Sequence, residues 1–139
     1  GVDTYAVDIR ADELKESYGG TVRFISPEGA TDSDIVICAM NYTKDPASRL
    51  YNRGYFTEEY LSRFPDGLVF INVTRGEIAP EAALLKLYKS GKIFGIGLDA
   101  FCGEAALAKV LRGQKNAENG NEAAACQIIV AAQDRSAFS

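Results

Sequence analysis

Two charged residues stand directly behind apolar runs in "FINVTRGEIAPEAALLKLYKSGKIFGIGLDAF", residues 70 to 101. Arg75 follows Asn72-Val73-Thr74 after the run Leu68-Val69-Phe70-Ile71, and Asp99 closes the run from Ile93 to Leu98. A guanidinium in such a place can clamp a carboxylate through paired N–H donors, and a carboxylate can orient a carboxamide. A third residue, Asp8, ends the run Thr4-Tyr5-Ala6-Val7, where its carboxylate can accept hydrogen bonds from both hydroxyls of a ribose. Each has a plainer alternative, Arg75 as an ion-pair residue and the two aspartates as caps or solvated loop acids. Their common placement at strand ends favours the chemical reading.

The elements that must position them alternate along the chain. Apolar runs at 4–7, 21–25, 35–38, 68–71 and 93–98 are interleaved with helical patterns, which predicts an α/β fold with a parallel sheet built from strand-helix-strand units. In such sheets ligands bind at the carboxyl ends of the strands, where loops and helix N-termini converge. Thr57-Glu58-Glu59-Tyr60 reads as a capped helix start. Pro80 stands where a first-turn proline is tolerated, ahead of Leu84, Leu85 and Leu87, and Gly91 ends that helix. Residues 102–139 are expected to be a mainly helical tail, with helices at Glu104–Leu111 and Glu122–Ala132 split by the polar loop "RGQKNAENGN". No internal repeat or linker divides the chain.

Composition narrows the function classes. The 139 residues carry 47% hydrophobic and 24% charged side chains, in the range of one globular domain. A net charge of −4 with no basic cluster argues against a nucleic-acid partner. The apolar runs are far shorter than the roughly 20 residues of a membrane span, and the N-terminus carries no secretory pattern, so a cytoplasmic location is expected. Cys38, Cys102 and Cys126 are odd in number and widely spaced, which suggests reduced thiols rather than a disulfide framework or zinc knuckle. The glycosylation-like triplets at Asn41 and Asn72 read as chance matches at strand ends. The sequence contains no histidine, which rules out a histidine general base or histidine-ligated metal within it.

The segments "DIVICAMNYT" and "INVTRGEIAPEAALLKLYKSGKIFGIGLDAF", with Glu104 beyond them, resemble the D-isomer-specific 2-hydroxyacid dehydrogenases over residues 1 to 104. The resemblance implies an NAD-binding domain with a Rossmann-like parallel sheet. It places Arg75 at the arginine that binds the substrate carboxylate and Glu104 at the acid that pairs with the catalytic histidine. Asp99 matches the aspartate that holds the nicotinamide carboxamide. Asp8 matches the ribose-binding acid, which implies NAD over NADP because a carboxylate there repels a 2′-phosphate. Met40 and Asn41 match the pair along the adenosine, and Val73 and Thr74 fall beside the nicotinamide ribose. The substrate implied is a small 2-hydroxy or 2-keto acid.

The departures define a second set of expectations. "GVDTYAVD" resembles the second strand of the cofactor domain, so the first, central strand and its glycine-rich phosphate turn are expected before residue 1. No G-x-G-x-x-G occurs in the chain. The family's Pro-His dipeptide is absent, and "QDRSAFS" either stops short of it or carries Arg135 near its place. The chain thus reads as a partial dinucleotide-binding domain, residues 1–139, whose binding of NAD by itself is doubtful and which is inactive alone. A nucleotide-binding or regulatory module and a structural assembly module stand as alternatives. In the strand order 3-2-1-4-5-6, the runs at 4–7 and 35–38 flank the absent centre. Their edges are expected to be met by a second copy or by missing segments of the same protein.

Overall fold

The computed structural model describes residues 1–133. Three of the apolar runs form one parallel sheet: β1 (Ile35–Cys38), β2 (Leu68–Asn72) and β3 (Ile93–Leu98), in the order β1-β2-β3. The register sets Ile37 beside Ile71, and Ile71 beside Gly97. Side chains alternate across a strand, so Leu68, Phe70 and Asn72 point to one face and are buried, while Val69 and Ile71 point to the other and are only partly covered.

The covered face packs against α2 (Glu58–Leu61) and α3 (Glu81–Lys89). The Thr57 hydroxyl accepts from the Tyr60 N–H at 3.0 Å and starts α2 as the sequence predicts. Pro80 lies one position earlier than expected: its ψ of 129° is extended, so it caps α3 instead of occupying the first turn. Leu84 and Leu87 are buried one turn apart, the helical spacing that turns both toward the core. Gly91, at φ 80°, supplies the left-handed step after the helix, which a side chain would strain. Two further helices, α4 (Glu104–Leu111) and α5 (Gly120–Gln133), form the helical C-terminal segment, with α5 lying on α3 and α4.

The first 25 residues depart from expectation. The runs at 4–7 and 21–25 do not form strands; they meet only at one parallel bridge between Ala6 and Phe24. The bridge is held by Ala6 N–H to the Arg23 carbonyl and Ile25 N–H to the Ala6 carbonyl, both 2.9 Å. A lone strand pair is marginal in water without a third strand or a packed face, and α1 (Ala11–Ser17), which connects its two sides, buries no residue. No described strand lies between this bridge and β1. Among the described residues β1 has an unpaired edge, and Ile35 and Ile37 are exposed on the sheet face opposite the core. The architecture is α/β and Rossmann-like, with that strand position unfilled among the described residues.

Candidate functional site

All three strands run in the same direction, so the residues that follow Cys38, Asn72 and Leu98 collect along one end of the sheet. After β1, Met40 packs against the core and Asn41 is exposed. The Asn41 carbonyl accepts from Asn52 Nδ2 at 2.6 Å, and Asn52 Oδ1 accepts the Thr43 N–H at 2.8 Å, which closes the loop.

After β2, the turn is built by Asn72, a side chain with no exposed surface. Its Oδ1 accepts from the Thr74 N–H at 3.0 Å and the Thr74 hydroxyl at 2.8 Å, while its Nδ2 donates to the Arg75 carbonyl at 2.9 Å. Every polar group of the buried amide except one N–H is thereby used within the turn. Val73 is left exposed, Thr74 half-buried, and Arg75 projects outward. Among the described residues no carboxylate lies within ion-pair distance of Arg75. After β3, the Asp99 N–H continues the ladder by donating to the Asn72 carbonyl at 3.0 Å, and its carboxylate is exposed.

Arg75, Glu77, Phe101 and Glu104 line one cleft of about 180 Å³. Glu104 opens α4 and its Oε1 accepts the Phe101 N–H at 3.3 Å. The guanidinium and this carboxylate share a cleft without pairing, so the donors of Arg75 stay available to an incoming acid. Gly76 makes the approach possible: a Cβ there would collide with Cys102 N and the Phe101 carbonyl carbon. Behind the cleft, Glu81 Oε1 accepts the Cys102 N–H. Burial pushes the Glu81 carboxyl above its ordinary range, a rise that the Cys102 hydrogen bond opposes. Burial likewise pushes the Cys102 thiol up, and the neighbouring acids Glu81 and Glu77 add to the rise.

Asp8 stands apart from this group. Its Oδ1 accepts the Arg10 N–H at 2.7 Å, with the Arg10 guanidinium at 3.7 Å, and none of its described hydrogen bonds or ion pairs reaches residues 40–104. Thus the structure brings Arg75 and Glu104 into one cleft, sets Met40, Asn41, Val73, Thr74 and Asp99 along the same sheet end, and leaves Asp8 in a local turn before α1. Arg135 lies outside the described residues. Among the described residues no cluster of metal-ligating side chains occurs, and no helix is long and apolar enough to cross a membrane. In the sequence Asn72 shows only as a glycosylation-like triplet in the stretch before Arg75, and nothing local marks Gly76 or Glu81 as functional.

A parallel sheet flanked by helices, with polar side chains gathered at the carboxyl ends of its strands, is the arrangement of a nucleotide-binding α/β domain. The chain belongs to the D-isomer specific 2-hydroxyacid dehydrogenase family, whose NAD binding domain matches residues 1–121. It is 30% identical over 100 residues to the human glyoxylate reductase/hydroxypyruvate reductase, which covers 71% of this chain and 29% of that protein. With the Pyrococcus furiosus glyoxylate reductase it shares 30% identity over 92 residues, 66% of this chain and 25% of the relative. The fold matches the Aquifex aeolicus D-lactate dehydrogenase, solved with NAD and lactic acid. The TM-score is 0.66 at 26% identity, over 87% of this chain and 34% of that one. The chain therefore spans a quarter to a third of the length of these proteins.

Proposed function

We propose that this chain forms the nicotinamide side of the cofactor domain of an NAD-dependent D-2-hydroxyacid dehydrogenase, acting on a small 2-hydroxy or 2-keto acid. The observation that carries this is the cleft in which Arg75, unpaired within the described residues, faces Glu104 at the carboxyl end of the sheet. The residues present fit the nicotinamide end of NAD: exposed Val73 offers an apolar surface, half-buried Thr74 a hydroxyl, and exposed Asp99 an acceptor for a carboxamide. They fit the pyrophosphate end poorly, because no glycine-rich turn occurs in the sequence. Bound NAD would supply hydride exchange at its nicotinamide ring.

The chain's own residues do the rest by placement. Arg75 holds the substrate carboxylate by two parallel N–H donors and so fixes the orientation of the reacting carbon. Glu104 is placed to receive and hold a partner base beside that carbon. Asp8 binds the adenosine ribose, a role that requires its carboxylate to leave the Arg10 contact, and Met40 and Asn41 flank the adenosine. With no histidine in the sequence, the proton of the substrate hydroxyl has no imidazole acceptor here, and the chain alone is inactive. The whole of residues 1–139 acts as one partial cofactor domain, in the cytoplasm, without a nucleic-acid or membrane partner.

Calorimetric titration with NADH and with adenosine, and a turnover assay with glyoxylate, test this reading. Binding of NADH that Asp99→Ala weakens, without turnover, is expected; turnover by the chain alone overturns the inactive assignment. A second reading, assembly, is favoured by the unpaired β1 edge with exposed Ile35 and Ile37. Such edges pair with a further strand, from a second copy or from another segment of the same protein. Light scattering decides between them, and Ile37→Lys is expected to shift any dimer toward monomer.

A further inference from the structure

Glu81 is the first residue of α3, a position where an acid ordinarily stays in water and interacts with the helix dipole. Here it is 1% exposed. One oxygen accepts the Cys102 N–H, and the other, Oε2, is buried with no hydrogen-bond partner among the described residues. Burying a carboxyl half-satisfied is unfavourable, and α3 does not require it, since a solvated acid would serve the helix start as well. The burial has to be explained by what the side chain reaches.

It reaches the turn between Asp99 and Glu104. Three contacts tie that turn down: Glu104 Oε1 to Phe101 N, Glu81 Oε1 to Cys102 N, and the backbone of Phe101 and Cys102 against bare Gly76. Gly76 directly follows Arg75, and Glu81 follows five residues later in the same connection. The Arg75 turn and the Glu104 turn are thus clamped together from one side by a missing side chain and from the other by a buried one.

We infer that Glu81 is a positioning residue, whose buried carboxyl holds the Phe101–Glu104 turn against the Arg75–Gly76 turn and so sets the separation of Arg75 and Glu104 across their cleft. The inference rests on the reading of that cleft as a carboxylate site only for its functional consequence; the tie itself is independent of any ligand. Length and an acceptor oxygen are what the role demands. Glu81→Gln keeps both, whereas Glu81→Asp keeps the charge and loses the reach.

Amide hydrogen exchange on the full chain tests the tie, with Phe70 in the central strand β2 reporting global opening. In Glu81→Asp the Cys102 amide is expected to exchange about tenfold faster relative to Phe70 than in the parent, and in Glu81→Gln within about threefold of it. Equal acceleration of Cys102 and Phe70 in Glu81→Asp, or a Cys102 amide as fast in Glu81→Gln as in Glu81→Asp, overturns the tie. A second arm follows the Arg75 Nε–H resonance during titration with oxalate. A response in the parent and Glu81→Gln, weakened severalfold in Glu81→Asp, supports the positioning role. A response equal in all three overturns the role. Silence in the parent overturns the carboxylate reading of the cleft, and the exchange arm then decides the tie by itself.

Discussion

Residues 1–25 and residues 35–104 are built from the same ingredients, β-branched runs followed by helical patterns, yet they fold to different degrees of order. In the second region a strand has partners and one covered face; Leu68 and Phe70 are fully buried and even the polar Asn72 is enclosed. In the first, Val7 and Ile9 are 45% and 60% exposed and the pairing amounts to one bridge. The same contrast holds for the candidate site residues. Arg75 and Glu104 each sit in a locally bonded turn, but their two turns are joined across elements by Glu81 accepting the Cys102 N–H and by Gly76 against Phe101 and Cys102, while Asp8 is held only by its own turn. The lesson is that strand propensity is realised only where a neighbour and a core face are both supplied.

The comparison can be broken most directly by removing Phe70. Phe70→Ala opens a cavity between β2 and the helices and is expected to lower stability by about 3 to 5 kcal/mol, read from urea denaturation; a loss below 1 kcal/mol would mean the second region is no better packed than the first. Gly76→Ala comes next. Its Cβ meets backbone that cannot rotate away, so about 1 to 3 kcal/mol of overpacking cost is expected, with the Arg75 and Phe101 amide resonances shifting together.

Acidity sharpens the contrast in another way. The Glu81 carboxyl is raised by burial above its ordinary value of 4.5, so the folded chain holds this proton more tightly than the unfolded chain does. Its contribution to stability is present in full below pH 4.5 and is lost as pH rises through the folded value. Glu81→Gln is expected to flatten that part of the stability-versus-pH curve, and an unchanged slope in thermal melts between pH 4 and neutrality, the span chosen as roughly the titration range, would place the carboxyl in water. The smallest effect belongs to the first region: Val7→Ser is expected to change stability by less than about 0.5 kcal/mol, and a larger loss in the same denaturation assay would show that the 1–25 segment is packed after all.

Much of the second region was legible. The runs at 35–38 and 93–98 match β1 and β3, the run at 68–71 falls one residue short of β2, and the Thr57 cap and Gly91 stop stand where local chemistry puts them. Parallel alternation also fixed that Arg75 and Asp99 would share a sheet end. The runs at 4–7 and 21–25 misled because propensity is local and pairing is not. Helix α1 carries no apolar stripe and was not singled out. Glu81 was illegible for a sharper reason: an acid opening a helix has the same local signature whether it is solvated or buried, and only the arrival of Cys102 from 21 residues downstream distinguishes the two. Gly76 was hidden in the same way, since what it accommodates comes from the far side of α3 and β3.

The purely parallel pairing of β1, β2 and β3 has a kinetic consequence. No strand of this sheet can find its neighbour through a hairpin; each must wait until an intervening loop and helix have closed into a crossover. Loop closure is thus required before any ladder hydrogen bond rewards it, which slows folding relative to a chain of purely local contacts. During that interval the β1 edge, unpaired among the described residues, is the same template in every molecule, so refolding yield should fall with protein concentration.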